Sequence, residues 1–460
     1  MDLNEQNREQ WVSRVGFILA AAGSAVGLGN IWRFPYITGT GGGAAFLIVY
    51  LIAIFLIGYP IMVTEMTIGR KTQRNPVGAF KALAPNSPWW LVGALGVLSG
   101  FVILSYYSVV GGWSLAYIFK AIGGSFVTGT AFDELFIGQI SATWGPIIWH
   151  FVFMAITIGI ISAGVVKGIQ KSVQILMPIL FILLFVLVVR SLTLPGASKG
   201  VAFYLRPDFS LLTWRSVLNA VAQSFFTLSL GMGAMLTYGS YLSQKENIPD
   251  SALSVVGLDT LVAVLAGFAI FPAVFAFGFD PGAGAGLTFI TLPAVFAEMP
   301  LGAFFGFLFF LLLSIAAVTS AISLLEVVVA YAVDELKMTR VSASIIIGLI
   351  VFVVGIPSSL GYSVLSDITF LGMDLLDTYD WISNCVFLPL GGLLTCIFAG
   401  YVWGSRNTAE EANKGEGSFK VGDFYSILLK VIVPIAIFIV MIFGILETLN
   451  AHFEWGLPFF

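Results

Sequence analysis

The residues best placed to do chemistry in this 460-residue chain lie in two short glycine-rich runs, GSAVGLGN at 23–30 and SLGMGAM at 229–235. Each sits inside an apolar stretch, so each reads as a break in a helix. A break in lipid frees backbone groups that only ions, ligands or buried polar neighbours can satisfy. The half-helix after it presents N–H groups and a positive dipole end, and the half before it presents carbonyls. One gap can therefore hold a carboxylate and a small cation side by side. Gly23 and Gly27 alone would serve close helix packing equally well, but two breaks beside polar residues favour binding. Asp259 lies in mid-span, where an ionised carboxylate costs several kcal/mol and marks a functional site. Glu65 and Glu326 read first as structural hydrogen-bonding acids, with proton coupling as the alternative. Thr319 and Ser320 form a hydroxyl pair in another apolar span, although such hydroxyls usually bond back to the helix. His150, His452, Cys385 and Cys396 assemble neither a catalytic constellation nor a metal cluster. The two cysteines, in one apolar stretch, read as packing residues, since a disulfide across that length of helix is geometrically excluded.

These groups need elements to position them. The chain is 58% apolar and 10% charged, with 21 Lys+Arg, 25 Asp+Glu and a net charge of −4. Soluble chains carry about 25% charged residues. The composition excludes a soluble enzyme, a disordered chain and a nucleic-acid binder, because no basic track could meet phosphates. It specifies an all-α polytopic membrane protein. The polar, acidic N-terminus lacks the basic and apolar regions of a signal peptide. A bilayer core takes about 20 apolar residues per helix, and eleven runs qualify: 14–37, 44–69, 90–120, 146–164, 170–190, 217–241, 253–278, 301–333, 341–356, 378–403 and 424–447. The segment 287–299 is apolar but too short to span and reads as a re-entrant or surface helix. With the N-terminus inside, fourteen Lys and Arg fall in inside segments and five outside, as the positive-inside rule requires.

The first and sixth spans carry the glycine breaks. If spans one to five and six to ten are two repeats, the breaks occupy matching positions. Five being odd, the second repeat is inverted, which points to a transporter site at the midplane. The expected organisation is an N-terminal cytoplasmic segment 1–13, a first five-helix repeat 14–190, an external loop 191–216 and a second repeat 217–403. A cytoplasmic loop 404–423, an eleventh helix 424–447 and an external tail 448–460 complete it. The expected location is the plasma (inner) membrane.

The runs GSAVGLGNIWRFP (23–35), GGGAAFLIVY, GYP, TEMTIGR and FFTLSLGMGAMLTYGSY (225–241) resemble the neurotransmitter:sodium symporter family over nearly the whole chain. The helix count and the GMG break look most like prokaryotic eleven-helix members that carry hydrophobic amino acids. The resemblance implies two Na+ sites. The first falls on Ala25, Asn30, Thr227 and Asp259, and the second on Gly23, Val26, Ala316, Thr319 and Ser320. In chloride-dependent relatives an anion environment maps to Tyr50, Gln223, Thr227 and Ala263. Here the Asp259 carboxylate is expected to supply that charge, making transport chloride-independent. Monoamine-carrying relatives have an Asp where this chain has Gly27, so the substrate should bring its own carboxylate.

That carboxylate is expected on the N–H groups of Leu28 and Gly29, the first Na+ and the Tyr107 hydroxyl, with Tyr106 as a neighbouring alternative. The ammonium would meet Ala25, Phe226, Thr227 and Ser229. The side-chain pocket would be Ile103, Val110, Phe226, Met232, Ser320, Ser323 and Leu324, uncharged throughout. Unbranched Met232 between Gly231 and Gly233 suits substrates from leucine-like to aromatic. The resemblance places an outer gate on Arg33 with Asp377 or Asp380, Asp377 being favoured. An inner gate falls on Arg8 with Asp334, supported by Trp11 and Tyr241. Gly168 and Pro178 in span five match a spacing that accompanies cytoplasmic unwinding. The expectation is a Na+-coupled amino acid symporter in the lipid bilayer, with no nucleic acid and no obligate protein partner. Proton coupling is the alternative. A channel would want a continuous polar pore, an intramembrane enzyme a catalytic constellation, and a sensor a larger loop than 405–423.

Overall fold

The structure is a computed structural model, and it describes residues 8–280 and 286–455. The start of the expected 1–13 segment and the end of the 448–460 tail therefore lie outside the described residues. Helices dominate throughout. In chain order the apolar ones are α1 (Arg14–Ala25), α2 (Gly29–Thr40), α3 (Ala44–Thr72), α4 (Trp90–Ile122), α5 (Trp144–Ser162) and α6 (Val165–Leu192). Then come α7 (Trp214–Thr227), α8 (Ala234–Gly239), α9 (Ile248–Ala276), α10 (Leu287–Glu298), α11 (Gly302–Glu335), α12 (Arg340–Leu360), α13 (Leu375–Val402) and α14 (Asp423–Phe453). Among the described residues nine helices are long and apolar enough to cross a membrane. The bent pair α1–α2 makes a tenth. The expected sixth span is two pieces, α7 and α8, each too short to cross alone, so a count of eleven depends on joining them across their break. The short apolar segment expected at 287–299 is α10.

Local chemistry sets the helix starts. Ser13 caps α1 by accepting from Gly16 N at 3.1 Å. Thr213 and Ser216 form a reciprocal cap on α7, Asn247 caps α9, and Asp374 caps α13. Each satisfies N–H groups that the first turn cannot. Two long helices make the centre. In α11, 94% of the apolar window is buried, and α11 packs along α4 and against α1. At the other extreme α14 buries 22% and packs on α13. A helix that is apolar all round but mostly exposed within the molecule belongs against lipid. The 191–216 connection is not plain loop. It contains a helix, Ala197–Leu205, whose Gly200 and Tyr204 lie against α9. The 404–423 connection carries another short helix, Ser405–Ala412.

Candidate functional site

The two breaks face each other. The first separates α1 and α2, whose axes bend by 50°. Val26 turns extended, with ψ 104°, and Gly27 N–H donates to Asn30 Oδ1 at 2.9 Å instead of to a helical carbonyl. Leu28 N–H donates to Tyr107 Oη on α4 at 3.1 Å. The second break runs from Leu228 to Gly233. Ser229, Gly231 and Gly233 all have positive φ, at 54°, 76° and 74°. A Cβ on Gly231 would also run into the Leu388 carbonyl of α13, so only glycine fits there. The freed Gly231 N–H donates to Glu65 Oε1 at 2.7 Å. Glu65 thus pins the second break from α3, in keeping with the structural reading of this acid.

Main chain and hydroxyls stitch the breaks together. The Ser24 carbonyl accepts from Ser229 Oγ at 2.9 Å and from Ser320 Oγ at 3.0 Å. Gln223 Nε2 donates to the Gly29 carbonyl at 2.8 Å. Beside them, Asp259 Oδ1 accepts from Asn30 Nδ2 at 2.7 Å and from Thr227 Oγ1 at 3.1 Å. Asp259 is fully buried, and among the described residues no basic side chain pairs with it. A buried carboxylate held only by neutral donors needs its charge compensated by a cation or a proton. The oxygens of Asn30, Thr227 and Asp259 suit a small hard cation. Asn30, Thr227 and Asp259, three of the residues expected at the first Na+ site, come together, with Asn30 turning its Nδ2 to Asp259 and its Oδ1 to Gly27 N. Of the second set, Ser320 Oγ donates to Val26 O at 3.3 Å, and Gly23 lies against Thr319. The Thr319 hydroxyl bonds back within its own helix, to Ala316 O at 3.0 Å. Tyr50, Gln223 and Ala263 are buried; Tyr50 lies near Asp259.

A narrow cavity lies between the breaks. Of the expected substrate residues, Ala25, Gly29, Ile103, Tyr107, Phe226, Ser229, Met232, Ser320 and Leu324 line it. Four expected residues, Leu28, Val110, Thr227 and Ser323, do not. Val110 is buried elsewhere in the core, and the Ser323 hydroxyl turns to Ser320 O and to Ser24 Oγ. Ser24 and Gly27, not singled out as substrate contacts, do line it. Their place inside the first glycine run was the available signal. A Cβ on Gly27 would collide with the Ser320 hydroxyl and lie 2.8 Å from Tyr107 Oη.

At the cytoplasmic end of the N-inside reading, Arg8 Nη1 meets Asp334 Oδ2 at 2.5 Å and lies 4.7 Å over the Tyr241 ring. Trp11 Nε1 donates to Tyr238 O at 3.0 Å, and Tyr241 Oη donates to Glu326 Oε1 at 2.6 Å. Asn75 and Arg340, absent from the expected set, join these contacts. Asn75 N donates to Asp334 at 2.9 Å, and Arg340 pairs with Glu326. At the other end Arg33 stands 5.0 Å over the Phe226 ring. Of the two candidate acids, Asp380 is the one within electrostatic reach of Arg33. The physical reason is helix register. Asp374 caps α13 at Asp377 N, leaving Asp377 among the acids of the first turn and Asp380 one turn deeper. No ion pair within 4 Å is made by Arg33 among the described residues. Gly168 lies in the first, widened turn of α6, with its Cα against the Ile160 carbonyl, and Pro178 lies ten residues on within the same helix.

The model of the sodium:neurotransmitter symporter family matches residues 8–128 and 133–458. The chain belongs to this family. This symporter is 44% identical over 444 residues to the sodium-dependent transporter YhdH of Bacillus subtilis, covering 96% of this chain and 98% of that one. It is similar in structure to MhsT, solved in complex with L-phenylalanine, with a TM-score of 0.88, 48% identity, and 95% of this chain and all of that one covered. The bovine sodium- and chloride-dependent taurine transporter is 30% identical over 368 residues, covering 68% of this chain and 58% of that one. The symporter is therefore a sodium-dependent transporter rather than an enzyme, with an all-α polytopic fold.

Proposed function

We propose that this symporter carries hydrophobic L-amino acids, aliphatic to aromatic, coupled to two Na+ and independent of chloride. The observation that carries the reading is the crowding at Gly27 beside the buried Asp259 carboxylate, which only neutral side chains contact. With no room for a side-chain acid at position 27, the carboxylate must arrive on the substrate. The Leu28 N–H, the Tyr107 hydroxyl and the first Na+ would receive it. The ammonium would find main-chain carbonyls at the ends of α1 and α7, with the Ser229 hydroxyl. Ile103, Phe226, Met232 and Leu324 leave an uncharged space for the side chain. MhsT, solved with L-phenylalanine, has a comparable fold, which supports an aromatic among the substrates. Na+ bound at Asp259 would neutralise the carboxylate and supply an electrostatic partner for the substrate. Asn30 and Thr227 would hold it, and Gly23, Val26, Ala316, Thr319 and Ser320 would hold the second ion.

Alternating access follows from the two ends. Arg8 with Asp334, Trp11 and Tyr241 would close the cytoplasmic side, and Arg33 with Asp380 over Phe226 would close the outer side. The reading places the N-terminus in the cytoplasm and the C-terminus outside. The test is uptake of labelled amino acids into proteoliposomes under an imposed Na+ gradient. Leucine and phenylalanine should accumulate with Na+ in chloride and in gluconate alike. Uptake driven by a proton gradient without Na+, or uptake of an amine lacking a carboxylate, would overturn it.

A further inference from the structure

The mostly exposed helix α14 carries no charge from Val431 to Leu446, and Glu447 is the first acid at its outer end. There the helix meets two elements along two adjacent stripes, since side chains four residues apart share a helix face. Gly444 and Thr448 face α13. A Cβ on Gly444 would lie 3.3 Å from Cys385 Sγ, and Trp381 Nε1 donates to Thr448 Oγ1 at 2.7 Å. Trp381 and Cys385 are themselves one turn apart on α13, and Asp380 adjoins them. Phe443 and Glu447 face α7 instead. Phe443 meets the Trp214 ring edge-on, 6.0 Å between centroids, and Glu447 pairs with Arg215. Arg215 is the only charged side chain of α7.

The two stripes differ in kind. The α13 side is close packing and a part-buried hydrogen bond, whereas the Arg215 and Glu447 side chains are 56% and 39% exposed. Exposed pairs are weak and screened by salt, so this link yields first. At its inner end α7 stops at a break whose Ser229, Gly231 and Gly233 have positive φ, and a helix divided from its partner there can tilt as one piece. Arg215 and Phe226 stand eleven residues apart, about three turns, and so share one face of α7. Tilting that face away from α13 would uncover Phe226, with Arg33 above it and Asp380 beyond. The same tilt must part Arg215 from Glu447, because α14 stays with α13. We propose that Arg215 and Glu447 are positioning residues of the outer gate, a second latch that ties α7 to α13 through α14. Neither touches substrate. They set how often the cavity is reached from outside, and external ionic strength tunes them. This role rests on the reading of Arg33, Asp380 and Phe226 as the outer closure.

The test uses spheroplasts expressing the full chain with Ile103→Cys as a reporter in the cavity and with Cys385→Ser and Cys396→Ala. The rate of labelling by a membrane-impermeant maleimide, in Na+ without amino acid, reports access from outside. Arg215→Gln and Glu447→Gln should each raise it about threefold, in line with the strength of an exposed pair, and together no further. The exchanged pair, Arg215→Glu with Glu447→Arg, should restore the original rate, which a loss of packing would not. Choline gluconate added at constant Na+ should speed labelling of the unaltered pair and leave Glu447→Gln as it was. Both side chains are partly exposed, and Arg215→Lys, which keeps the charge, should stay near the original rate. An unchanged rate in both Gln variants would overturn the latch, as would a rise that the exchange fails to reverse. Asp380→Asn separates the latch from the gate reading. A rise there alone keeps that gate and removes the latch. A rise in the Gln variants alone keeps the latch and counts against Arg33 with Asp380.

Discussion

On the proposed reading, Asp259 concentrates the chemistry of the first ion site in one side chain. It is buried, accepts from Asn30 Nδ2 and Thr227 Oγ1, and meets no basic group among the described residues. Asp259→Asn keeps the size and the hydrogen-bonding capacity but removes the charge. Its expected effect is a loss of Na+ affinity of tenfold or more, equivalent to about 1.4 kcal/mol, together with stimulation of uptake by chloride. Na+ titrations of uptake in chloride and in gluconate measure both. Unchanged affinity would remove Asp259 from the ion site. This residue was legible in the sequence because a lone acid in an apolar span needs a reason. The Arg33 partner was legible only as a choice. Asp377 and Asp380 lie three residues apart, and the loop before α13 leaves the register open until Asp374 is seen to cap the helix. In the sequence Arg70 is one of the fourteen Lys and Arg of the inside segments. It is buried and hydrogen-bonded to carbonyls of Glu246 and Glu411, partners far along the chain that no local pattern announces.

At the scale of elements, the breaks carry the function on the proposed reading, and glycine at positive φ shapes the second break. Gly231→Ala would place a methyl group against the Leu388 carbonyl in a left-handed conformation. A cost of about 1–2 kcal/mol from the backbone alone is expected, with further loss from the collision. Substrate binding should fall more than membrane insertion, which scintillation proximity binding set against expression level would resolve. Pro178 sits inside α6, where it removes a helix hydrogen bond and loosens the preceding turn. Pro178→Ala should stiffen α6 and slow cytoplasmic opening. The rate of thiol labelling at an engineered cysteine near Gly168 should drop several-fold, and an unchanged rate would remove the hinge role. Hydropathy located the long helices well, because apolar length is a local property. It joined α7 to α8 across their break, and it read helices in the 191–216 and 404–423 connections as loop. Those short helices are held by packing on α9 and α3, which composition does not encode.

Across the whole molecule, the end that carries Arg8 is held together by long-range contacts. Arg8 reaches Asp334, and Glu9 accepts from Val165 N at 2.7 Å, tying the N-terminal segment to the start of α6. The Ser405–Ala412 helix is fastened separately, through Glu411. Burial alone would raise the pKa of Glu411, but the hydrogen bond from Lys414 and the charges of Arg70, Lys414 and Lys71 hold it below the ordinary carboxylate value. A depressed carboxylate stabilises the fold above the unfolded pKa of about 4.3. That contribution fades as pH falls through the lower folded value. Glu411→Gln should therefore cost about 2 kcal/mol at pH 7, and the difference from the unaltered protein should shrink below pH 4. Thermal unfolding of detergent-purified protein across pH reports it, and a gap that persists at low pH would assign the loss to packing. The two breaks have one more consequence. On the proposed reading, main-chain groups from α1, α2 and α7 receive the constant ends of any α-amino acid, while Ile103, Met232 and Leu324 meet the part that varies. Selectivity is then modular. Redesign of those three walls could exchange one cargo for another while the coupling machinery, written in backbone, is inherited unchanged.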